Sequence, residues 1–178
     1  MYALVVVSLF GAVGSALGSV TGNAPKGTYV CHQPSSDNTT IYDFTLKDIY
    51  KNRDINFSQF QGKVTLIVNQ EPGANATEIL NGIKHVRPGG GFVPNFPLTE
   101  KVDKHCGYVD EQLFPYLMYD PKNVHDVRWN FEKFLIGANG KPLKRYHTVV
   151  EPIELEDDIK FALGVVPVGT PNPFKANP

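Results

Sequence analysis

An α/β sandwich on a small mixed sheet is the expected architecture of this 178-residue chain, for three reasons. Short β-branched runs alternate with segments whose apolar residues recur at helical spacing. Sixteen glycines and fourteen prolines imply many turns and short elements. No heptad stretch or internal repeat is present, which excludes a coiled coil or a solenoid. Hydrophobic residues make up 42% of the chain, enough for one core in one domain. With 17 basic against 18 acidic side chains the net charge is −1, so bulk charge does not recruit nucleic acid or an anionic membrane.

The first 25 residues carry no charged side chain, and residues 3–13 form an apolar block ending in small residues around Gly14-Ser15-Ala16. This reads as a signal peptide over residues 1–18, cleaved after Gly18 in Ala16-Leu17-Gly18. A membrane anchor is the rival, but the block is short and glycine-interrupted against the ~20 apolar residues a span needs. Secretion places Asn38, Asn56 and Asn75, each in an Asn-x-Ser/Thr triplet, where they can be glycosylated.

Ile41-Tyr42-Asp43-Phe44-Thr45-Leu46 has the period-two pattern of a strand. Residues 57–60 suit one helical turn stopped by Gly62. Val64-Thr65-Leu66-Ile67-Val68 is the continuous β-branched run of a buried central strand, and a crossover helix is expected after it. Asn75 can cap that helix, with Glu78 at its third position and Ile79, Leu80, Ile83 and Val86 on one face before Pro88. An extended segment over 97–102 and a short helix over 111–118 follow. Asn139-Gly140 between two apolar runs signals a hairpin. Pro152 and the acids Glu154, Glu156, Asp157 and Asp158 open a closing helix that Gly164 stops. Residues 164–178, rich in proline, are expected as a disordered tail.

Beyond these elements, long blocks resemble the glutathione peroxidases. They are Gly62-Lys63 leading into Leu66-Ile67-Val68-Asn69, then Gln70-Glu71-Pro72-Gly73 with Glu78-Ile79-Leu80, then Arg87-Pro88-Gly89-Gly90-Gly91-Phe92-Val93-Pro94-Asn95-Phe96, and Val124 through Trp129-Asn130-Phe131-Glu132-Lys133-Phe134-Leu135. The Cys31-His32 pair ahead of Ile41-Tyr42, behind a leader, resembles the secreted, plasma-type branch. The resemblance implies a thioredoxin-like three-layer sandwich with a mixed central sheet over residues 19–163. It also implies reduction of hydrogen peroxide and organic hydroperoxides by glutathione in the response to oxidative stress, with no cofactor.

The family's nucleophile, a selenocysteine or cysteine, follows the strand that ends here at Asn69. In this chain Asn69 runs straight into Gln70-Glu71-Pro72-Gly73, which in the family comes after a further strand and helix. Roughly 30 residues, one strand-helix crossover, are missing. Only a thiolate or selenolate attacks the O–O bond and takes up oxygen as a sulfenic or selenenic acid, so the chain as it stands is expected to be inactive. Trp129 and Asn130 match two of the donors that stabilise the anion, while the donor Gln is absent, because the neighbours of Gln70 align it with a later, non-catalytic glutamine. Arg87 and Arg145 match basic positions suited to a peptide with two carboxylates, although any isolated arginine can be an ordinary surface charge. Trp129 can equally be a core aromatic.

Two cysteines, Cys31 and Cys106, cannot build a disulfide scaffold or a four-cysteine zinc site. Cys106 beside His105 suggests an activated thiolate, but neighbours on an extended segment point to opposite faces. A loop cysteine and a disulfide to Cys31 are the other readings. The five histidines lack metal-ligand spacing, and no metal is expected. The resemblance implies that the 104–122 stretch lies where the family varies in subunit-contact loops, and its shortness points to a monomer or dimer. The rival function is a secreted, non-catalytic thioredoxin-like binding protein. Loss of a crossover also predicts that residues 64–68 form a poorly covered edge in a marginal fold.

Overall fold

The structure, a computed structural model, describes residues 3–9, 28–30, 38–70, 75–86, 88–101 and 130–175. Seven strands are β1 (Ala3–Leu9), β2 (Thr28–Val30), β3 (Thr45–Lys47), β4 (Asp54–Asn56), β5 (Val64–Gln70), β6 (Lys133–Ile136) and β7 (Pro142–Tyr146). The helices are α1 (Ala76–His85) and α2 (Glu156–Ala162). Five strands form one sheet in the order β1-β5-β6-β7-β2, and β3 and β4 pair as a separate hairpin.

The buried run at 64–68 becomes the central strand β5, with Val64, Thr65, Ile67 and Asn69 all buried. Its two faces are covered by different layers. Ile67, Phe134 and Ile136 pack with Ile41, Ile55, Phe57 and Phe60 on one side of the sheet. Val64, Leu135 and Tyr146 pack with Val150 and Leu155, backed by Ile159, Ala162 and Leu163, on the other. The alternation of side chains along β5 and β6 sends neighbours to opposite cores, which yields the three layers. α1 buries Ile79 and Ile83 against Leu98 in a third cluster.

Local signals act where they were read. The Asn75 side chain accepts from the Glu78 amide at 3.0 Å and caps α1. The β6–β7 hairpin turns through Gly140, whose φ of +77° suits glycine, and a Cβ there would sit 2.7 Å from the Tyr42 ring. Pro152 opens a 3-10 turn, Pro152–Leu155, that runs into α2, and Gly164 at φ +72° ends the helix.

Four expectations are corrected. Residues 41–46 do not form one strand: Thr40 and Asp43 make a capping box that winds Ile41–Asp43 into a 3-10 turn, and the paired strand begins at Thr45. The sheet is not mixed among the described strands, since every pairing is antiparallel. The outer flank of β5 is not an open edge, because β1 pairs along it from Ala3↔Gln70 to Leu9↔Val64. The proline-rich segment after Gly164 is not a free tail over its described part. Phe174 packs into the second core, its ring edge-on to Phe161 at 5.6 Å and 5.8 Å from the Lys144 ammonium. An aromatic that finds a core docks a segment that composition alone reads as loose. The expected helix at 111–118 lies outside the described residues.

Candidate functional site

The C-terminal end of β5 defines the site, because there the sheet meets the residues just ahead of β6. The Asn69 amide donates to the Glu132 carbonyl at 3.2 Å, and the Phe131 amide donates to the Asn69 carbonyl at 2.8 Å. Two residues on one strand thus face one on the other, a β-bulge. Phe131 carries the strain of the bulge: its φ is +61°, in the left-handed region that a bulky side chain seldom occupies. Its ring is 50% exposed, so core burial does not hold it there. Backbone bonds do, together with the Thr148 hydroxyl, which donates to the Asn130 carbonyl. The bulge ends the pairing at Asn130 and places that residue beside the terminus of β5.

Behind the bulge the sheet buries charge. Glu132 and Arg145 are 1% and 4% exposed, and both Nε and Nη2 of Arg145 donate to one Glu132 oxygen, at 2.7 and 2.6 Å. The guanidinium also lies 5.6 Å from the centre of the Phe134 ring, its cross-strand partner. On the opposite face of β7, the Lys144 ammonium donates to both Asp158 oxygens at 2.8 and 2.9 Å, and the Tyr146 hydroxyl donates to the same carboxylate at 2.8 Å. Lys133 donates to the carbonyls of Thr148 and Val150. Burial pulls its ammonium below the ordinary lysine range, against the opposing pull of Glu151, Glu132 and Glu154.

These contacts decide the placement of the expected site residues. Asn130 is half-buried at the bulge. Arg145, expected at a substrate carboxylate, has its guanidinium buried and held by Glu132, where it braces the hairpin. Trp129, Arg87, Cys31 and Cys106 lie outside the described residues. Asn38, Asn56 and Asn75 are all exposed. Sequence reasoning missed the bulge and the Glu132–Arg145 pair. The Glu132-x-Phe134 spacing, which puts an acid and an aromatic on one face of a strand, was the available signal. Among the described residues no group of three or more histidine, cysteine or acidic side chains could hold a metal ion, and no helix is long and apolar enough to cross a membrane.

No family model matches the chain. It is 32% identical over 203 residues to "Glutathione peroxidase 6" of Mus musculus, with 82% of this chain and 90% of that protein covered. It is 37% identical over 170 residues to "Epididymal secretory glutathione peroxidase" of Macaca fascicularis, covering 65% of this chain and 76% of the relative. It is 33% identical over 188 residues to "Glutathione peroxidase 3" of Hylobates lar, covering 74% and 81%. Among solved structures, "Crystal structure of Trgpx in apo form" superposes with a TM-score of 0.53 at 24% identity, over 72% of this chain and 99% of that one. "Crystal structure of T. cruzi GPX1" superposes with a TM-score of 0.53 at 19% identity, over 71% and 97%. At those identities the likeness is one of fold, and the fold is thioredoxin-like.

Proposed function

Because this chain belongs to the glutathione peroxidase family of peroxide-reducing oxidoreductases, we propose that it is a secreted form whose peroxidase site has been interrupted at the junction of Asn69 and Gln70. The carrying observation is where that junction falls. Asn69, one residue before the end of β5, bonds to the bulge that follows Asn130, so a nucleophile loop leaving β5 at this junction would start near Asn130. Trp129 and Asn130 would then donate to the thiolate or selenolate and lower its pKa. Attack on the peroxide breaks the O–O bond, leaves one oxygen on sulfur or selenium, and releases water or an alcohol; two glutathione molecules return the enzyme to its starting state as the disulfide forms. Arg87 is the remaining candidate for a glutathione carboxylate.

In the chain as it stands the attacking atom is missing from its expected position, while the described strands keep the sheet. The alignment with the mouse relative spans 203 positions against the 178 residues of this chain, which suits a segment present in the relative and absent here. The relative named as epididymal secretory supports a leader over residues 1–18 and secretion. Exposure of Asn38, Asn56 and Asn75 suits glycosylation in that compartment.

The test is an assay of the purified full chain with glutathione and hydrogen peroxide, alongside transcript sequencing across the codons for Asn69 and Gln70. Turnover at background is the expected result, and restoring a cysteine-bearing crossover at the junction should produce glutathione-dependent rates. Turnover by the 178 residues themselves, lost on Cys106→Ser, would overturn the reading and make Cys106 the nucleophile. An uninterrupted transcript with abundant secreted product favours the non-catalytic binding protein.

A further inference from the structure

The outer flank of β5 has the chemistry of a central strand with one neighbour supplied from an unusual source. Both faces of β5 are buried or half-buried along 64–69, the pattern of a strand that needs partners on each side. On one side it has β6. On the other it has Ala3–Leu9, the apolar stretch that reads as the heart of a secretory leader. That stretch is uncharged and centred on three consecutive valines, so its β propensity is as high as its hydrophobicity.

The hydrogen-bond parity of this ladder follows from the bulge. In an antiparallel strand the N–H and C=O of one residue face the same neighbour, and the side alternates along the strand. Asn69 faces β6 through both groups. Thr65 and Ile67 therefore also face β6, and Val64, Leu66, Val68 and Gln70 face β1. With the register Val7↔Leu66, Val6↔Ile67 and Val5↔Val68, Val5 and Val7 are the bonded positions of β1, and the Val6 amide points away from β5.

We propose that the outer edge of β5 is a strand-acceptor site whose occupant is Ala3–Leu9, so that leader removal and completion of the sheet are alternative fates of one segment. A chain that folds with its N terminus attached fills the site in cis. A chain cleaved after Gly18 exposes seven residues of unpaired strand edge, which then accept an extended, uncharged, β-branched segment, first of all the same segment of an unprocessed copy. The inference rests on the ladder and on the leader reading of residues 1–18, and not on the peroxidase chemistry, which can fail without touching it.

Residue-resolved amide exchange on the full chain tests it, because proline removes a bonded donor at Val7 but only an outward-facing one at Val6. Val7→Pro should raise exchange at Leu66 and Val68 at least tenfold while Thr65 and Ile67 stay protected, and Val6→Pro should change both sets far less. The full-length Val7→Pro protein should also bind a synthetic peptide of residues 2–10 carrying a lysine tail, which the wild-type chain, already filled, should not. Unchanged protection at Leu66 and Val68 in Val7→Pro, equal effects of the two prolines, or no peptide binding by Val7→Pro would overturn the proposal. If Val7→Pro does not fold, Ser8→Cys with Thr65→Cys decides: these directly opposed residues should cross-link on oxidation of the folded chain, and an absent cross-link rejects the site.

Discussion

β5 is held differently along its two flanks. On the β6 side the register is specified by side chains: Ile67 meets Phe134, Thr65 meets Ile136, and the Glu132–Arg145 pair lies buried just beyond the bulge. On the β1 side runs a backbone ladder, with a partner that lies 55 residues away in sequence even at its near end, Leu9 to Val64. Side-chain specification resists slippage, because a one-residue shift would turn the buried set outward. A ladder of backbone bonds tolerates exchange of one apolar strand for another. On the strand-acceptor proposal, the first flank is the permanent half of the sheet and the second its replaceable half.

The largest blow to the β6 flank should come from Arg145→Met. It leaves Glu132 as an uncompensated charge at 1% exposure, and loss of one partner of a buried pair costs about 3–5 kcal/mol. Urea unfolding should show that loss, and Glu132→Gln added to Arg145→Met should restore much of it. If the single variant is as stable as the wild type, the pair does not brace the hairpin.

A smaller effect, of opposite sign, is expected at the bulge. Phe131→Gly removes a half-exposed ring from a left-handed position, relieving about 1 kcal/mol of backbone strain. The thermal midpoint should hold or rise. A clear fall would mean that contacts of the ring, and not the bonds around it, keep the bulge in place.

The smallest effect is the titration of Lys133 on the same flank. Its pKa is lowered mainly by burial, so the folded state binds fewer protons than the unfolded state just below the ordinary lysine value. The cost of burying the charge is present at neutral pH and is relieved as pH rises through the folded pKa. Stability of the wild type measured against Lys133→Met should therefore improve with alkalinity; a pH-independent difference between the two would remove Lys133 from the balance.

How far this molecule was legible varies with the range of the interaction. Asn75 caps its helix through a residue three positions on, Asn139-Gly140 turns a hairpin between adjacent runs, and Pro152 and Gly164 bound the closing helix. Each depends on neighbours that the chain itself keeps close. Family membership was equally readable, because it rests on long ordered blocks.

Three features escaped. Arg145 reads as a surface base until Glu132 is seen beneath it. Phe174 sits in a proline-rich stretch that composition calls loose, yet its ring reaches Phe161. Nothing near Phe131 announces a left-handed residue, which the bonds with Asn69 across the sheet and the Thr148 hydroxyl hold in place.

Local capping and turn chemistry belong to the order of residues alone, since backbone preference and chemical identity travel with each residue. Which strand lies beside β5, which acid neutralises Arg145 and where the chain bulges belong to the folded state. Those outcomes compare free energies of contacts between segments far apart in the chain, and no single segment carries that comparison within itself.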